Sequence, residues 1–164
     1  MRGVALFVAG ILVGTAVHST LAQGQQPAVR LNHVAIAVPD IPAALTWYQE
    51  KMGFKEVIRN TSPQGQLMSA YIQINRDTFI ELQQANAQRP AGLNHYGLEA
   101  TDIKAAVATF RQRGAMTTDP GQPSAFTGGI LANVTDLIGG RIELSEQPPD
   151  GKLRKASETW QGPR

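Results

Sequence analysis

The sequence predicts an α+β domain built from two tandem β-α-β-β-β modules, and two internal repeats carry that prediction. The segment LNHVAIAVPDIPAA beginning at Leu31 returns as LNHYGLEATDIKAA beginning at Leu93, an offset of 62 residues. The same offset relates IEL at residues 80–82 to IEL at residues 142–144. Because the agreement holds at both ends of a unit of about sixty residues, it indicates a tandem duplication.

The first module is predicted to be a strand, a helix and three further strands. The aliphatic run 31–38 is short enough for a buried strand. Asp40 is a candidate N-cap, with Pro42 in the first turn where a missing N–H costs nothing, and Gly53 ends the helix. Turn signals separate the remaining strands, residues 54–59, 67–74 and 78–84.

The second module repeats this order. Its predicted elements are a strand at 93–100, a helix from Asp102 to Arg113, and strands at 115–118, 129–135 and 141–145. We therefore predict one domain over residues 30–147, with module one at 30–84 and module two at 93–146. Residues 148–164 are predicted to form a flexible C-terminal tail.

Residues 1–22 have the features of a signal peptide. Arg2 gives a positive start, residues 4–17 are apolar or small, and Thr20-Leu21-Ala22 offers small residues to a signal peptidase. The apolar run is shorter than the roughly 20 residues that span a bilayer. We expect a cleaved signal and an exported protein, periplasmic or secreted; an uncleaved N-terminal membrane anchor is the alternative.

The composition excludes several kinds of site. The 164 residues contain no cysteine, which excludes disulfides, thiolate zinc sites and cysteine nucleophiles. The net charge is +2, and the one dense basic cluster, Lys152, Arg154 and Lys155, has no aromatic platform beside it. We expect a small-molecule substrate, no nucleic acid, and no membrane contact beyond the signal segment.

Strand alternation places both histidines of the two modules on the sheet face that does not pack against the helices. Side chains alternate faces along a strand, so His33 and its counterpart His95 lie opposite the aliphatic residues that meet the helix. Each histidine is followed two residues later by a small residue, Ala35 or Gly97. Small residues there are expected to leave room above the sheet for something other than side chains.

The glutamates of the two IEL segments fall on that same face. If the faces meet, two imidazoles and two carboxylates converge in a cleft. Buried carboxylates are costly unless they are paired or metal-bound, and a divalent cation balances two carboxylates while accepting neutral imidazole nitrogens. A lone strand histidine is more often an ordinary buried polar residue. The equivalent positions of both pairs nevertheless favour a metal site formed by His33, Glu81, His95 and Glu143.

These segments, together with WYQEKMGF, FTGG and DLIGGRIEL, resemble the vicinal oxygen chelate superfamily over roughly residues 30–146. The superfamily includes glyoxalase I, methylmalonyl-CoA epimerase, extradiol dioxygenases, and fosfomycin- and bleomycin-resistance proteins. The resemblance implies the glyoxalase/bleomycin resistance/dioxygenase fold, a cupped mixed sheet around one divalent metal ion (Ni, Zn, Co, Mn or Fe). It also implies that each module supplies one histidine and one glutamate.

The ligand set resembles that of the four-ligand members. Dioxygenases and fosfomycin-resistance enzymes lack an acid at the place of Glu81, and bleomycin-resistance proteins generally lack the ligands. The resemblance therefore implies a glyoxalase I-like lyase or isomerase, in which the metal polarises a carbonyl and Glu143 removes the neighbouring proton. A methylmalonyl-CoA epimerase-like isomerase and a non-catalytic small-molecule-binding protein are the alternatives.

Two departures from bacterial glyoxalase I argue against glutathione as part of the substrate. An arginine and an asparagine of that enzyme are replaced here by Ala37 and Ala85. Export argues against acyl-CoA. Sites of the superfamily are often completed between chains, so we expect a homodimer in which His33 and Glu81 of one protomer face His95 and Glu143 of the other.

Overall fold

The computed structural model describes residues 27–162 and contains one eight-stranded mixed sheet with three helices in that range. The strand order is β2-β3-β4-β1-β5-β8-β7-β6, and β1–β4 and β5–β8 are the parallel pairs. This architecture confirms the predicted fold class of two β-α-β-β-β modules. The elements are β1 (Val29–Val38), α1 (Ile41–Met52), β2 (Lys55–Thr61), β3 (Leu67–Asn75), β4 (Thr78–Gln84), β5 (Gly92–Ala100), α2 (Ile103–Gln112), β6 (Met116–Thr117), β7 (Ile130–Thr135), β8 (Arg141–Glu146) and α3 (Lys152–Glu158).

The first helix of each module begins at the predicted aspartate. Asp40 and Asp102 are both extended N-caps, and each side chain accepts a hydrogen bond of 2.9 Å from the backbone N–H three residues later. This contact satisfies one of the N–H groups that a helix start leaves without a partner. Gly53 ends α1 with a φ of 69°, a left-handed conformation that glycine adopts without strain.

Each of these helices covers the same face of its own module's strands. Ile41 and Leu45 of α1 pack against Ile80 and Leu82 of β4, and α2 makes the equivalent contact with Leu144 of β8. Full burial of such side chains stabilises the fold by about 1.5–3 kcal/mol each. The apolar residues of the IEL segments are thereby turned towards the helices, which leaves their glutamates on the other face.

The two modules meet along the antiparallel pair β1–β5. In this register His33 lies opposite Gly97, and Ala35 lies opposite His95. The small residue after each histidine therefore lies across from the histidine of the other module. The sequence predicted that these small residues leave room above the sheet, and at Gly97 that room is filled by the His33 ring.

The C-terminal segment is not a loose tail throughout, so the prediction for residues 148–164 is wrong over α3. Leu153 is 2% exposed and packs with Ala156 against Ile58, Tyr71 and Phe79 on the sheet face opposite α1. The apolar surface that α3 covers comes from three separate strands, so nothing near the helix in sequence indicated that it would be held there.

The predicted signal peptide, residues 1–22, lies outside the described residues. Within residues 27–162, the structure has no helix long and apolar enough to cross a membrane.

Candidate metal centre

Four central strands bring the predicted ligands together on the face opposite α1 and α2. His33 and His95 lie on the adjacent strands β1 and β5, and Glu81 and Glu143 lie on the flanking strands β4 and β8. Glu81 is paired with Ala35, and Glu143 with Gly97, so each carboxylate lies beside the small residue of its own module. All four side chains belong to buried residues.

The distances between the four groups fit a single shared ion. The two Nε2 atoms lie 3.2 Å apart. From His33 Nε2 the nearest oxygens of Glu81 and Glu143 lie at 3.9 and 3.7 Å, and from His95 Nε2 at 3.7 and 3.6 Å. Atoms that each lie about 2.0–2.3 Å from one ion are roughly 2.9–4.4 Å apart.

Glu81 is less closely grouped than the other three. Ligand atoms of His33, His95 and Glu143 all lie within 4.8 Å of one another, whereas Glu81 stands outside that group although it approaches both histidines. The geometry therefore gives a tight three-residue cluster with a fourth carboxylate beside it.

All four groups come from one chain. Because β1 pairs with β5 of the same chain, His33 and Glu81 face His95 and Glu143 without a second subunit. The prediction that a partner protomer supplies half of the site is wrong. The reason is the length of the β1–β5 pairing, which joins the two modules along most of both strands.

Each histidine is held by the asparagine that precedes it. Nδ1 of His33 lies 2.9 Å from Asn32 Oδ1, and Nδ1 of His95 lies 2.7 Å from Asn94 Oδ1. These contacts turn the Nε2 atom of each ring towards the other ring and the carboxylates. The sequence analysis did not assign a role to the asparagines, although the repeated LNH was the available signal.

Arg141 is a further site residue that the sequence analysis missed. Its Nη2 lies 2.6 Å from His95 Nδ1 and 3.0 Å from His95 Nε2, and its Nη1 donates to Glu143 Oε2 at 3.3 Å. The side chain is 41% exposed, so part of it reaches solvent. Its position two residues before Glu143, on the same face of β8, could have indicated this contact.

Burial keeps both imidazoles neutral at pH 7. Burial, and then the charge of Arg141, lowers the pKa of His33 to about 4 and that of His95 to about 3. At His33, a neutral imidazole that donates through Nδ1 to Asn32 leaves the Nε2 lone pair free to bind a cation. At His95 both ring nitrogens are also contacted by the donor Arg141.

The same surroundings act in the opposite direction on the carboxylates. Burial, and then the nearby Glu81, raises the pKa of Glu143 to about 7, and burial raises the pKa of Glu81. A carboxyl group with a pKa near 7 can both accept and return a proton at neutral pH. Tyr71 borders this group: its ring lies edge-on to His33 with centroids 5.5 Å apart, and burial raises its pKa well above the usual value.

Comparisons with known proteins agree with this fold. A family profile described as the Glyoxalase/Bleomycin resistance protein/Dioxygenase superfamily matches residues 32–132. An ethylmalonyl-CoA/methylmalonyl-CoA epimerase of Cereibacter sphaeroides is 30% identical over 131 residues, which cover 71% of this chain and 97% of that protein.

Solved structures of two epimerases share the fold. A methylmalonyl-CoA epimerase structure matches with a TM-score of 0.60 and 25% identity, covering 72% of this chain and 94% of that one. The methylmalonyl-CoA epimerase of Mycobacterium tuberculosis matches with a TM-score of 0.62 and 22% identity, covering 73% of this chain and 88% of that one. The chain therefore belongs to the glyoxalase/bleomycin resistance protein/dioxygenase superfamily.

Proposed function

We propose that this protein is a divalent-metal-dependent epimerase that removes and returns a proton at the carbon next to a thioester carbonyl. The observation that carries the proposal is the convergence of two neutral imidazole nitrogens, 3.2 Å apart, with two buried carboxylates. Without a cation between them, buried acceptor groups at these distances repel one another.

The donor set suits the proposed ion. His33, Glu81, His95 and Glu143 supply two neutral nitrogens and two oxygens, and two carboxylates offset a charge of 2+. Such a mixed set fits borderline ions such as Ni, Zn, Co, Mn or Fe(II). When bound, the ion supplies Lewis acidity to the substrate carbonyl oxygen and so acidifies the neighbouring C–H.

Glu143 is the proposed base. In the metal-free chain burial, and then Glu81, raises its pKa to about 7, so this carboxylate, when it is not bound to the ion, can take a proton and give it back near neutral pH. Arg141 donates to the same carboxylate at 3.3 Å and can hold its orientation. The side chains of His33 and Tyr71 form a buried border beside these groups.

The epimerase alternative is favoured over the glyoxalase I-like one by the relatives. The C. sphaeroides protein is matched over nearly its whole length, and its name specifies ethylmalonyl-CoA and methylmalonyl-CoA. A 2-alkylmalonyl thioester is therefore the proposed substrate. Because export would argue against acyl-CoA, the thiol carrier is tested separately from the acyl group.

The test is deuterium exchange in heavy water, followed by mass spectrometry. We expect metal-loaded protein to exchange the C2 proton of methylmalonyl-CoA or of its N-acetylcysteamine thioester. The Glu143→Gln variant should keep the metal and lose most of the exchange, about 10²–10⁴-fold for loss of a general base. His33→Ala and His95→Ala should lose most of the metal.

Two results would change this proposal, the first in the identity of the base and the second in the reaction itself. Exchange at the wild-type rate in Glu143→Gln would exclude Glu143 as the base and direct the test to Glu81. Turnover of an α-ketoaldehyde hemithioacetal, with no exchange on either thioester, would support the glyoxalase-type activity instead.

A further inference from the structure

We propose that Glu99 is a positioning residue that fixes the proton of His33 on Nδ1, acting through Asn32, and so keeps the Nε2 atom of His33 ready for the metal. This inference rests on the proposed function for its purpose, although its central readout needs no metal. It concerns a series of polar contacts that leads from the buried Glu99 through Asn32 to His33, one ligand of the candidate site.

The first group in this series of contacts is a buried carboxylate. Glu99 is 8% exposed and lies on β5, two residues beyond Gly97. Its Oε2 accepts a hydrogen bond of 3.2 Å from Asn32 Nδ2, and Asn32 is 1% exposed. Asn32 Oδ1 in turn lies 2.9 Å from His33 Nδ1.

These contacts determine where the proton lies. A carboxylate can only accept hydrogen bonds, so the group of Asn32 that faces Glu99 must be its NH₂. The carbonyl oxygen of Asn32 then faces His33, and because that oxygen can also only accept, Nδ1 of His33 must donate. The neutral ring therefore carries its one proton on Nδ1 and has a free lone pair on Nε2.

Two arginines contact the Glu99 carboxylate. Arg30 Nη2 contacts both carboxylate oxygens at 3.1 Å, and Arg154 Nη2 of α3 contacts Oε1 at 3.3 Å. Arg30 also pairs with Asp77 at 3.0 Å. Arg154 lies on α3, so the C-terminal helix contacts Glu99 and is connected through Glu99 and Asn32 to His33 on β1.

The second module lacks this support. The position related to Glu99 by the 62-residue offset is Ala37, and Asn94, the counterpart of Asn32, is exposed. His95 is contacted instead by the donor Arg141 at both ring nitrogens. Within residues 27–162, only His33 has its tautomer fixed by a buried carboxylate behind the asparagine.

The duplication supplies a matched control for the experiment. We would record ¹⁵N imidazole spectra of the metal-free full chain and measure zinc affinity, comparing Asn32→Ala with Asn94→Ala and Glu99→Ala with Glu56→Ala. Glu56 is suitable because it forms a surface ion pair with Arg59, away from the site.

In wild-type protein we expect His33 to show a single Nδ1–H tautomer. Glu99→Ala and Asn32→Ala should populate the Nε2–H tautomer and weaken zinc binding about 10–100-fold, the usual effect of losing a contact behind a metal ligand. Glu99→Gln, which keeps an acceptor oxygen but not the charge, should lie between wild type and Glu99→Ala. Asn94→Ala and Glu56→Ala should leave the His33 signals unchanged.

The proposal is overturned if His33 keeps its Nδ1–H tautomer and wild-type zinc affinity in both Asn32→Ala and Glu99→Gln. These two variants decide the question even if Glu99→Ala fails to fold. If wild-type protein binds none of the candidate ions Ni, Zn, Co, Mn or Fe(II), the proposed metal-dependent function fails, but the tautomer spectrum of the metal-free chain still decides the role of Glu99.

Discussion

Gly97 has no space for a side chain, because the His33 ring lies where its Cβ would be. A Cβ built there would overlap the Cε1, Nδ1 and Nε2 atoms of that ring. We predict that Gly97→Ala displaces His33, costs about 1–3 kcal/mol of unfolding free energy through overpacking, and weakens metal binding. Denaturant unfolding and metal titration measure both effects.

Gly121→Ala is the matched control, since a Cβ at that position meets only Leu131 O at 3.7 Å, an ordinary contact. It should bind metal like the wild type. Wild-type metal affinity in Gly97→Ala would show that the His33 ring can move aside without leaving the site.

The raised pKa of Glu143 makes a prediction about the stability of the metal-free protein. A pKa of about 7 in the folded chain, against the ordinary 4.5, means that the folded state binds this proton more tightly than the unfolded state. The stabilisation is fully present below pH 4.5 and is lost as the pH rises through 7. Over that range the loss is roughly 3 kcal/mol at most.

The side chain in Glu143→Gln stays uncharged at every pH, like the protonated glutamic acid. The melting temperature of this variant should therefore exceed that of the wild type at pH 8 and match it at pH 4.5. Differential scanning calorimetry with a chelator present measures this, and Glu56→Gln serves as the control. An equal difference at both pH values would mean that the charge of Glu143 is not what destabilises the metal-free fold.

For individual residues, the sequence predicted which candidate ligands converge but not which neighbouring side chains orient them. His33, Glu81, His95 and Glu143 could be predicted because the duplication marks them by a constant offset. Asn32 and Glu99 contact each other across 67 residues, and Glu99 has only an alanine as its counterpart, so the repeat gave no signal for that pair.

Among the elements, α3 is the helix that packs on the sheet face opposite α1. Leu153 is 2% exposed among Ile58, Tyr71 and Phe79. We predict that Leu153→Ala lowers the free energy of unfolding by about 2–5 kcal/mol, the usual effect of truncating a buried leucine and leaving a cavity. Equilibrium unfolding in denaturant measures the loss.

The control is Leu137→Ala in the β7–β8 turn, because Leu137 is fully exposed. It should change the free energy by less than about 0.5 kcal/mol. If the two variants had equal stability, the packing of α3 against the sheet would contribute nothing to the fold.

The predictability of each element depended on how local its cause is. Neighbouring residues determine the helix caps at Asp40 and Asp102 and the alternation of side chains along β1 and β5. These predictions are confirmed. The fate of α3 depends on a surface assembled from β2, β3 and β4, which short-range patterns do not contain. The predicted strand at 115–118 is shorter in the structure, Met116–Thr117.

For the whole molecule, export stays a prediction. Residues 1–22 have a positive start, an apolar run and small residues before Gln23. We expect intact-mass measurement of protein from the producing cell to show a chain beginning near Gln23 in the exported fraction. A full-length chain found in the membrane fraction would favour the uncleaved anchor.

The homodimer also stays a prediction, and it is independent of the metal site. Because one chain holds all four candidate ligands, assembly is not needed to complete them. We expect light scattering to give the mass of a dimer, with a metal stoichiometry of one ion per chain. A monomer that binds one ion would exclude the dimer and leave the intrachain site unchanged.

The β1–β5 register also has a consequence for the history of the chain. His33 rests on Gly97, and Ala35 lies across from His95, so each copy of the duplicated unit accommodates the ligand of the other. A mutation that enlarges residue 97 in the second copy is therefore felt in the first, at His33. After duplication, a change of side-chain size at residue 97 in one half would therefore alter the position of a ligand in the other half.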